Sequence, residues 1–244
     1  MSKKETSGWR LDEQAYYKNR TKLLKDVTSE EVADSPFVYA RRQNITSALV
    51  RIDLFRKILD VQGSIVECGV HKGNSLFLFS HLSSILEPYN FNRKIIGFDT
   101  FEGFKSIDKK KDDNSVKESD FSDTSYGFLN KFVELESKNR AVSHLEKIKL
   151  IKGDATKTIP EFVEKNPQLI IAMLYLDFDL YKPTKIALEY FLPLIPKGGI
   201  VGLDELNYKK WVGETTALKE TVSIGSVSLK KFHYSPWESY FIVE

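Results

Sequence analysis

The sequence predicts an α/β fold in which helices cover both faces of a mostly parallel β-sheet. Five short apolar runs alternate along the 244-residue chain with segments of helix length, which is the pattern of consecutive β-α-β units. Most of these runs contain a continuous apolar stretch, as strands do when both faces of their sheet are buried. Each run also ends close to an acidic residue, so acidic side chains are expected to gather along one edge of the sheet.

Two helical segments, at 11–27 and 38–61, are predicted before the first strand. In the second segment apolar residues recur at three- and four-residue steps, which predicts that one face of the helix is buried. That predicted face comprises Ile45, Leu49, Ile52, Phe55 and Leu59. We therefore predict a helical N-terminal segment over residues 1–61 and an α/β domain over residues 62–244.

The remaining elements follow in order along the second domain. The predicted strands are GSIVECG (63–69), RKIIGFD (93–99), EKIKLIKGD (146–154), QLIIAMLYLD (168–177) and GGIVGLD (198–204). The predicted helices are 72–87, 125–138, 156–165, 183–194 and 213–222. Two short final strands, within SVSLKKFHY and SYFIVE, predict an antiparallel hairpin on the sheet edge.

Composition argues against several classes of function. The net charge is +2 and no long basic run is interleaved with aromatic residues, so we expect no nucleic-acid partner. No run of about 18 apolar residues occurs, so we expect no membrane-spanning segment. Cys68 is the single cysteine, which rules out an internal disulfide and fits a reducing compartment. These observations predict a cytoplasmic protein.

The segment 105–124, KSIDKKKDDNSVKESDFSDT, is charged, rich in serine and almost without aliphatic residues. A connection of this length inside a compact domain is typically either a functional lid or a disordered loop. The sequence leaves both possibilities open.

The turn after the first strand, within IVECGVHKGNS (65–75), predicts a ligand-binding loop. Gly69 and Gly73 permit positive φ and a close approach of ligand to backbone, and the following helix would present free N–H groups. The motif lacks the central glycine of the dinucleotide fingerprint, which favours a ligand without a diphosphate. Asp99 is positioned to bind ribose hydroxyls and Asp154 an adenine amino group, so S-adenosylmethionine is the predicted cofactor.

The predicted cofactor-binding set includes these residues and several of their chain neighbours. Its members are Glu67, Cys68, Gly69, Val70, Gly73, Ser75, Asp99, Thr100, Phe101, Gly153, Asp154, Ala155 and Asp177. The alternative is that the glycines form an ordinary turn and that the aspartates are helix N-caps.

A second group of carboxylates predicts a metal site. Asp177 and Asp204 end the fourth and fifth strands, which are expected to be neighbours, and Glu205 follows directly. Unpaired carboxylates at that spacing repel one another, and a divalent cation resolves the conflict. Oxygen-only ligands favour magnesium, calcium or manganese over zinc. The alternative is that these acids cap helices or pair with nearby lysines, and Asp179 is expected to cap the helix that begins near Pro183.

Two residues are candidates for the general base of a methyl transfer. Asp177 would accept the proton of an acceptor hydroxyl held near the metal. His71, in the cofactor turn, is the rival candidate.

Several motifs together resemble the macrocin O-methyltransferase family, whose members are metal-dependent class I methyltransferases acting on sugar hydroxyls of antibiotics and related glycosides. The motifs are VECGVHKGNS, IIGFDTFEGF, KGDATKTIP, LDFDLYKPTKIALEYFLPLIPKGGIVGLDEL and GETTALKE. The resemblance covers roughly residues 40–222, and its most specific block runs from Leu176 to Leu206. It implies a Rossmann-like class I methyltransferase fold whose seven-stranded sheet has an antiparallel C-terminal strand.

The resemblance also implies how the site is organised. Glu67, Gly69, Asp99 and Asp154 would surround S-adenosylmethionine. Magnesium would be held by Asp177, Asp204 and Glu205, and Asp177 would also be the general base. The acceptor would be a sugar or glycoside of natural-product biosynthesis. Homo-oligomers are common in the family, and an N-terminal segment such as 1–61 would act as a lid or an oligomer contact.

The sequence departs from the family pattern at four positions. His71 and Lys72 replace tryptophan and arginine, Phe178 replaces glycine, and Glu205 replaces aspartate. Three other functions remain alternatives: a catechol-type O-methyltransferase, a nicotinamide oxidoreductase and a non-catalytic cofactor-binding subunit.

Overall fold

The computed structural model describes residues 11–244, so the first ten positions of the predicted N-terminal segment lie outside the described residues. The chain forms two compact units, Met1–Ile45 and Thr46–Glu244. The sequence predicted a boundary at residues 61 and 62. The compact division falls earlier because Val50, Leu54 and Ile58 are fully buried and belong to the core of the second unit.

The described part of the first unit contains short helices. Helix α1 spans Leu11–Leu23 and a 3-10 turn follows at Leu24–Asp26. Helix α2 spans Ser29–Asp34, and its N-cap Thr28 exchanges hydrogen bonds with Glu31 in a capping box. Helix α3 spans Pro36–Tyr39.

The predicted continuous helix 38–61 is wrong at both ends. The backbone is extended at Ala40, where ψ is 142°, and helix α4 spans only Arg42–Lys57. The predicted buried face is also wrong in part, since Leu49 and Leu59 are 43% and 38% exposed. The residues of α4 that are buried are Val50, Arg51, Leu54 and Phe55.

The second unit is built on one seven-stranded sheet with the spatial order β3-β2-β1-β4-β5-β7-β6. The strands are β1 Ser64–Cys68, β2 Ile95–Asp99, β3 Ile148–Lys152, β4 Ile171–Leu176, β5 Ile200–Leu203, β6 Lys230–Lys231 and β7 Ser239–Ile242. Strands β1 to β5 pair in parallel, whereas β7 is antiparallel to both β5 and β6. The predicted fold class and C-terminal hairpin are therefore confirmed.

Helices cover both faces of this sheet. They are α5 Asn74–Leu86, α6 Tyr126–Ser137, α7 Ala155–Lys165, α8 Tyr181–Phe191 and α9 Val212–Thr221. Adjacent residues of a strand point to opposite faces, so Ile65 of β1 packs in one core with Leu54 and Phe79. Val66 packs in the other core with Ile159 and Leu188. Strands β1, β2, β4 and β5 are thus buried on both sides, as their apolar sequences predicted, whereas β3 exposes Lys149 and Lys152 and β6 is exposed.

Among the described residues, no helix has both the length and the apolar character needed to cross a membrane.

Candidate active site

The carboxyl ends of β1, β4 and β5 lie side by side and carry the central residues of the site. The register pairs Cys68 with Leu176 and Leu176 with Leu203. The next residue of each strand continues this alignment: the Asp177 amide donates to the Cys68 carbonyl at 2.8 Å, and the Asp204 amide to the Leu176 carbonyl at 3.0 Å. The chain order reverses here, because β1 lies between β2 and β4, and such switch points are where open α/β sheets bind ligands.

The turn after β1 depends on glycine. Gly69 has φ +99°, and a Cβ atom there would lie 2.0 Å from the Asp177 carbonyl oxygen. Gly73 has φ +82° and is the N-cap of α5, so no side chain caps the first N–H groups of that helix. The turn therefore brings the backbone of β1 against β4 and leaves the α5 N-terminus able to bind a carboxylate.

Glu67 is a buried carboxyl group at this turn, with 1% of its surface exposed. Its Oε2 atom is buried and has no hydrogen-bond partner among the described residues. Burial raises the pKa of Glu67 well above its ordinary value, although the charge of Arg51 opposes the shift. An N–H donor of a bound ligand would satisfy this oxygen.

Asp99 is the last residue of β2, and its carboxylate links the turn after β1 to the turn after β2. Its Oδ2 accepts from the His71 amide at 2.8 Å, and its Oδ1 accepts from the Phe101 amide at 2.6 Å. Both oxygens retain a second lone pair, so the carboxylate can still receive ligand hydroxyls. Phe101 is buried, and Thr100 lies between it and Asp99.

Asp154 is the N-cap of α7, as the alternative interpretation of the sequence held. Its Oδ1 accepts from the Thr156 amide at 3.0 Å, and its Oδ2 accepts from the Ser106 hydroxyl at 2.6 Å. Gly153 precedes it with φ +140°, and Ala155 begins the helix. An adenine amino group would have to share or displace the contact with Ser106.

Segment 105–124 is anchored to the glycine turn at its C-terminal end. Asp123 accepts from the His71 ring at 2.8 Å and from Lys72 at 2.6 Å, and these contacts lower the pKa of Asp123 to about 2. The Phe121 ring packs edge-on against His71 and also contacts Trp211. The predicted alternative base His71 is thus held by this segment.

The same segment supplies the cap of α8. The Asp112 carboxylate is buried and accepts from the Tyr181 amide at 2.7 Å, at the first residue of the helix. The prediction that Asp179 caps this helix is wrong. Asp179 instead adopts φ +61° and its carboxyl group forms a hydrogen bond with Glu205.

Asp177 and Asp204 both approach the guanidinium group of Arg51. The Arg51 Nη2 atom is 3.0 Å from Asp204 Oδ1 and 4.0 Å from Asp177 Oδ2. The hydroxyl of Tyr175 also donates to Asp204 Oδ1, at 2.5 Å. Burial raises the pKa of Asp177, and the neighbouring charges of Asp204 and Asp179 raise it further.

Glu205, the third predicted metal ligand, contacts the acidic residues Asp179 and Glu214. Its side chain bonds Asp179, and its amide donates to Glu214 Oε1 at 3.3 Å. Burial and the charge of Asp204 raise the pKa of Glu205 to about 8. In the described part of the chain, no group of three His, Cys, Asp or Glu residues has an arrangement that could hold a metal ion.

The chemistry of these donors nevertheless fits a hard cation. The Oε2 atoms of Glu205 and Glu214 are buried without a hydrogen-bond partner among the described residues. Several carboxyl groups surround Asp204, and, within the part of the chain that the structure describes, Arg51 supplies the one guanidinium group among them. Oxygen donors with excess negative charge are the ligands that magnesium and calcium prefer.

Four residues of the site escaped the sequence analysis: Arg51, Asp112, Tyr175 and Glu214. Arg51, Asp112 and Tyr175 contact their partners across 153, 69 and 29 positions, which no local pattern reveals. Glu214 lies only nine positions from Glu205, but it belongs to a different element, α9.

Comparison with known proteins identifies the family. The family model described as Macrocin-O-methyltransferase (TylF) matches residues 38–223. The chain belongs to the macrocin O-methyltransferase family. The protein is therefore an O-methyltransferase, as the resemblance implied, and not a nicotinamide oxidoreductase. A comparison with functionally curated protein sequences found no match.

Solved structures of similar proteins agree with this family assignment. The crystal structure of CalS11, a calicheamicin methyltransferase, has a TM-score of 0.89 and 32% identity over 96% of this chain and 93% of its own. An apo structure of CalS11, described as a TDP-rhamnose 3′-O-methyltransferase, has a TM-score of 0.82 and 30% identity over 99% of each chain. The O-methyltransferase NovP shares the fold, with a TM-score of 0.65 and 17% identity over 82% of this chain and 80% of its own.

Proposed function

We propose that the protein transfers the methyl group of S-adenosylmethionine to a hydroxyl of a deoxysugar carried by a nucleotide. The observation that carries this proposal is the 30% identity, over 99% of each chain, to a protein described as a TDP-rhamnose 3′-O-methyltransferase. The carboxylates at the ends of β4 and β5, next to the glycine turn, support it. They provide a proton acceptor beside the expected position of the cofactor.

The turn residues would bind the methyl donor. The α5 N-terminus behind Gly73 would receive the methionine carboxylate, and Glu67 Oε2 would accept from its ammonium group. Asp99 would accept the ribose hydroxyls, and Asp154 the adenine amino group. Gly69 lets this turn lie directly against the main chain of Asp177, so a sulfonium bound at the turn would be close to that residue.

Asp177 would act as the general base. The acceptor oxygen forms a bond to the methyl carbon while the bond from that carbon to sulfur breaks, and the sulfonium becomes a neutral thioether. The hydroxyl proton passes to a carboxylate oxygen of Asp177. Because an oxyanion and a sulfonium neutralise each other as the reaction proceeds, catalysis depends mainly on positioning and on proton removal.

Asp177, Asp204 and Glu205 would hold magnesium, with Glu205 released from Asp179. The metal would make a bound acceptor hydroxyl more acidic. Arg51 and Tyr175 would keep Asp204 oriented, and segment 105–124 would help to exclude water.

An acceptor panel tests the substrate class. Purified protein, labelled S-adenosylmethionine and magnesium are incubated with nucleotide-linked deoxyhexoses, free glycosides and catechols, and label in each product is counted. We expect transfer to the nucleotide-linked deoxyhexoses at a rate at least about tenfold above the catechols. Preferential labelling of catechols would overturn the sugar assignment and favour the phenolic alternative.

Paired variants test the base. In Asp177→Asn we expect kcat to fall by about 10²–10⁴-fold, because general-base catalysis contributes on that order. The matched variant His71→Gln should keep kcat within about tenfold, since that ring is bound to Asp123. Calorimetry with S-adenosylmethionine serves as the folding control. Near-normal turnover in Asp177→Asn, or a larger loss in His71→Gln, would reject Asp177 as the base.

A further inference from the structure

Arg51 is a buried residue of α4 whose side chain reaches the carboxylates at the sheet edge. We propose that Arg51 is a positioning residue. Together with Tyr175 it holds the Oδ1 atom of Asp204 in place and leaves the Oδ2 atom free to bind the proposed magnesium ion. This inference rests on the proposed methyl transfer at the same site.

Every part of the Arg51 guanidinium group has a partner. Its Nε donates to the Ser75 hydroxyl at 3.0 Å, at the start of α5. Its Nη1 donates to Glu238 Oε1 at 2.9 Å, and its Nη2 donates to Asp204 Oδ1 at 3.0 Å. The planar guanidinium group of Arg51 thus connects the start of α5, the end of β5 and the segment before β7.

Two further contacts limit how the guanidinium group can move. Its Cζ atom lies 4.6 Å from the centre of the Tyr175 ring, which is fully buried in β4. On the other side, Glu238 is itself held, because its second oxygen accepts from the Ser235 hydroxyl. The guanidinium plane is therefore fixed by packing and by hydrogen bonds before any ligand binds.

The consequence for Asp204 is an asymmetric carboxylate. Its Oδ1 receives two donors, Arg51 Nη2 at 3.0 Å and the Tyr175 hydroxyl at 2.5 Å. The hydrogen bonds among the described residues bring no donor side chain to Oδ2, and the Asp204 side chain is 20% exposed. Arg51 also supplies positive charge 4.0 Å from Asp177, which reduces the repulsion between the two aspartates.

A purely structural role is the competing explanation, and Arg93 illustrates it. Arg93 is equally buried, with 3% exposure against 4% for Arg51. Its guanidinium group donates to the main-chain carbonyls of Gly63, Ile58 and Val61, and it pairs with Glu87. Those contacts join loops, whereas Arg51 donates to a carboxylate at the reaction centre. Arg93→Lys is therefore a matched control.

The test compares Arg51→Lys, Tyr175→Phe and Arg93→Lys with the unmodified protein. For Arg51→Lys we expect kcat to fall about 10- to 100-fold, the usual effect of removing a group that orients a site carboxylate. KM for the acceptor and the affinity for S-adenosylmethionine should stay within about threefold. Tyr175→Phe removes one hydroxyl and should lower kcat about three- to tenfold, and it keeps the test decisive if Arg51→Lys does not fold.

A second readout does not depend on turnover. Titration of magnesium into each protein by calorimetry, without acceptor, should show weaker binding in Arg51→Lys and Tyr175→Phe and unchanged binding in Arg93→Lys. Equal losses in all three variants, or unchanged kcat in the first two, would overturn the positioning role. Absence of methyl transfer by the unmodified protein would instead count against the proposed function.

Discussion

At the scale of single residues, Gly69 is the position where the backbone of β1 meets that of β4. Its φ of +99° lies in the region that L side chains avoid, and an added Cβ would approach the Asp177 carbonyl oxygen to 2.0 Å. No side-chain movement relieves that clash, because the obstacle is main chain. The close approach places the proposed cofactor turn directly beside the proposed base.

We expect Gly69→Ala to lower the free energy of unfolding by about 2–4 kcal/mol, through backbone strain and a steric clash. It should also weaken binding of S-adenosylmethionine. Denaturant unfolding and calorimetry measure the two effects. As the control, Gly127→Ala in α6 places a Cβ with no atom within 4 Å and should stabilise the protein by roughly 0.5–1 kcal/mol. Equal stability of the two variants would contradict this explanation.

The acidic residues of the proposed site could be predicted individually because they lie at or just beyond the carboxyl ends of apolar strands. Glu67, Asp99 and Asp204 were located by that rule alone. Arg51 could not be predicted, since a charged residue on a surface helix normally faces solvent and its partners lie 153 and 187 positions away. The predicted buried face of α4 also omitted it.

At the scale of elements, helix α8 takes its N-terminal cap from a distant segment. The chain near its start offers no capping side chain, and Asp112 supplies one from the segment 105–124. Lys111 links the same segment to α8 and α9, because its Nζ donates to the Tyr181 hydroxyl at 2.7 Å and to Glu220 Oε1 at 2.6 Å. This segment therefore helps to fix the helix that follows Asp177.

We expect Asp112→Ala to reduce the free energy of unfolding by about 1–2 kcal/mol, the usual effect of losing a carboxylate cap. The neighbouring variant Asp113→Ala is the control, because Asp113 is only partly buried and accepts from Ser115 within its own turn. Chemical denaturation of both variants provides the comparison. If Asp113→Ala destabilises the protein as much as Asp112→Ala, the cap is not the cause.

Most elements could be predicted from periodicity and apolar runs, and the exceptions have physical causes. The helix is interrupted at Ala40, and the sequence has no proline or glycine there that would have predicted the interruption. Strand β6 was predicted within SVSLKKFHY, but it has only two residues, and so short a strand has no pattern from which its bounds can be read. The order of segment 105–124 depends on contacts with α8, α9 and the glycine turn, which local composition does not encode.

At the scale of the whole molecule, the strand order accounts for where the site lies. Strand β1 pairs with β2 on one side and β4 on the other, so the chain leaves the sheet in opposite directions and opens a crevice at the carboxyl ends. The turn for the methyl donor follows β1, and the carboxylates follow β4 and β5. The alternation of strands and helices predicted the parallel sheet and the neighbouring positions of β4 and β5, whereas the positions of β2 and β3 in the strand order were not predicted.

The partners of the third carboxylate could not be predicted in the same way. Glu205 was expected to lie with Asp177 and Asp204, yet it bonds Asp179 and Glu214. Glu214 comes from α9, whose packing against the sheet is a tertiary feature. The proposed metal site therefore requires Glu205 to exchange one carboxyl partner for a cation.

These carboxylates are proposed to hold a divalent cation for methyl transfer to a sugar hydroxyl. The most direct measurement is the initial rate of labelled methyl transfer to a nucleotide-linked deoxyhexose, first after complete chelation and then with magnesium restored. We predict a fall of at least about tenfold on chelation and full recovery with magnesium. An unchanged rate after complete chelation would contradict the claim.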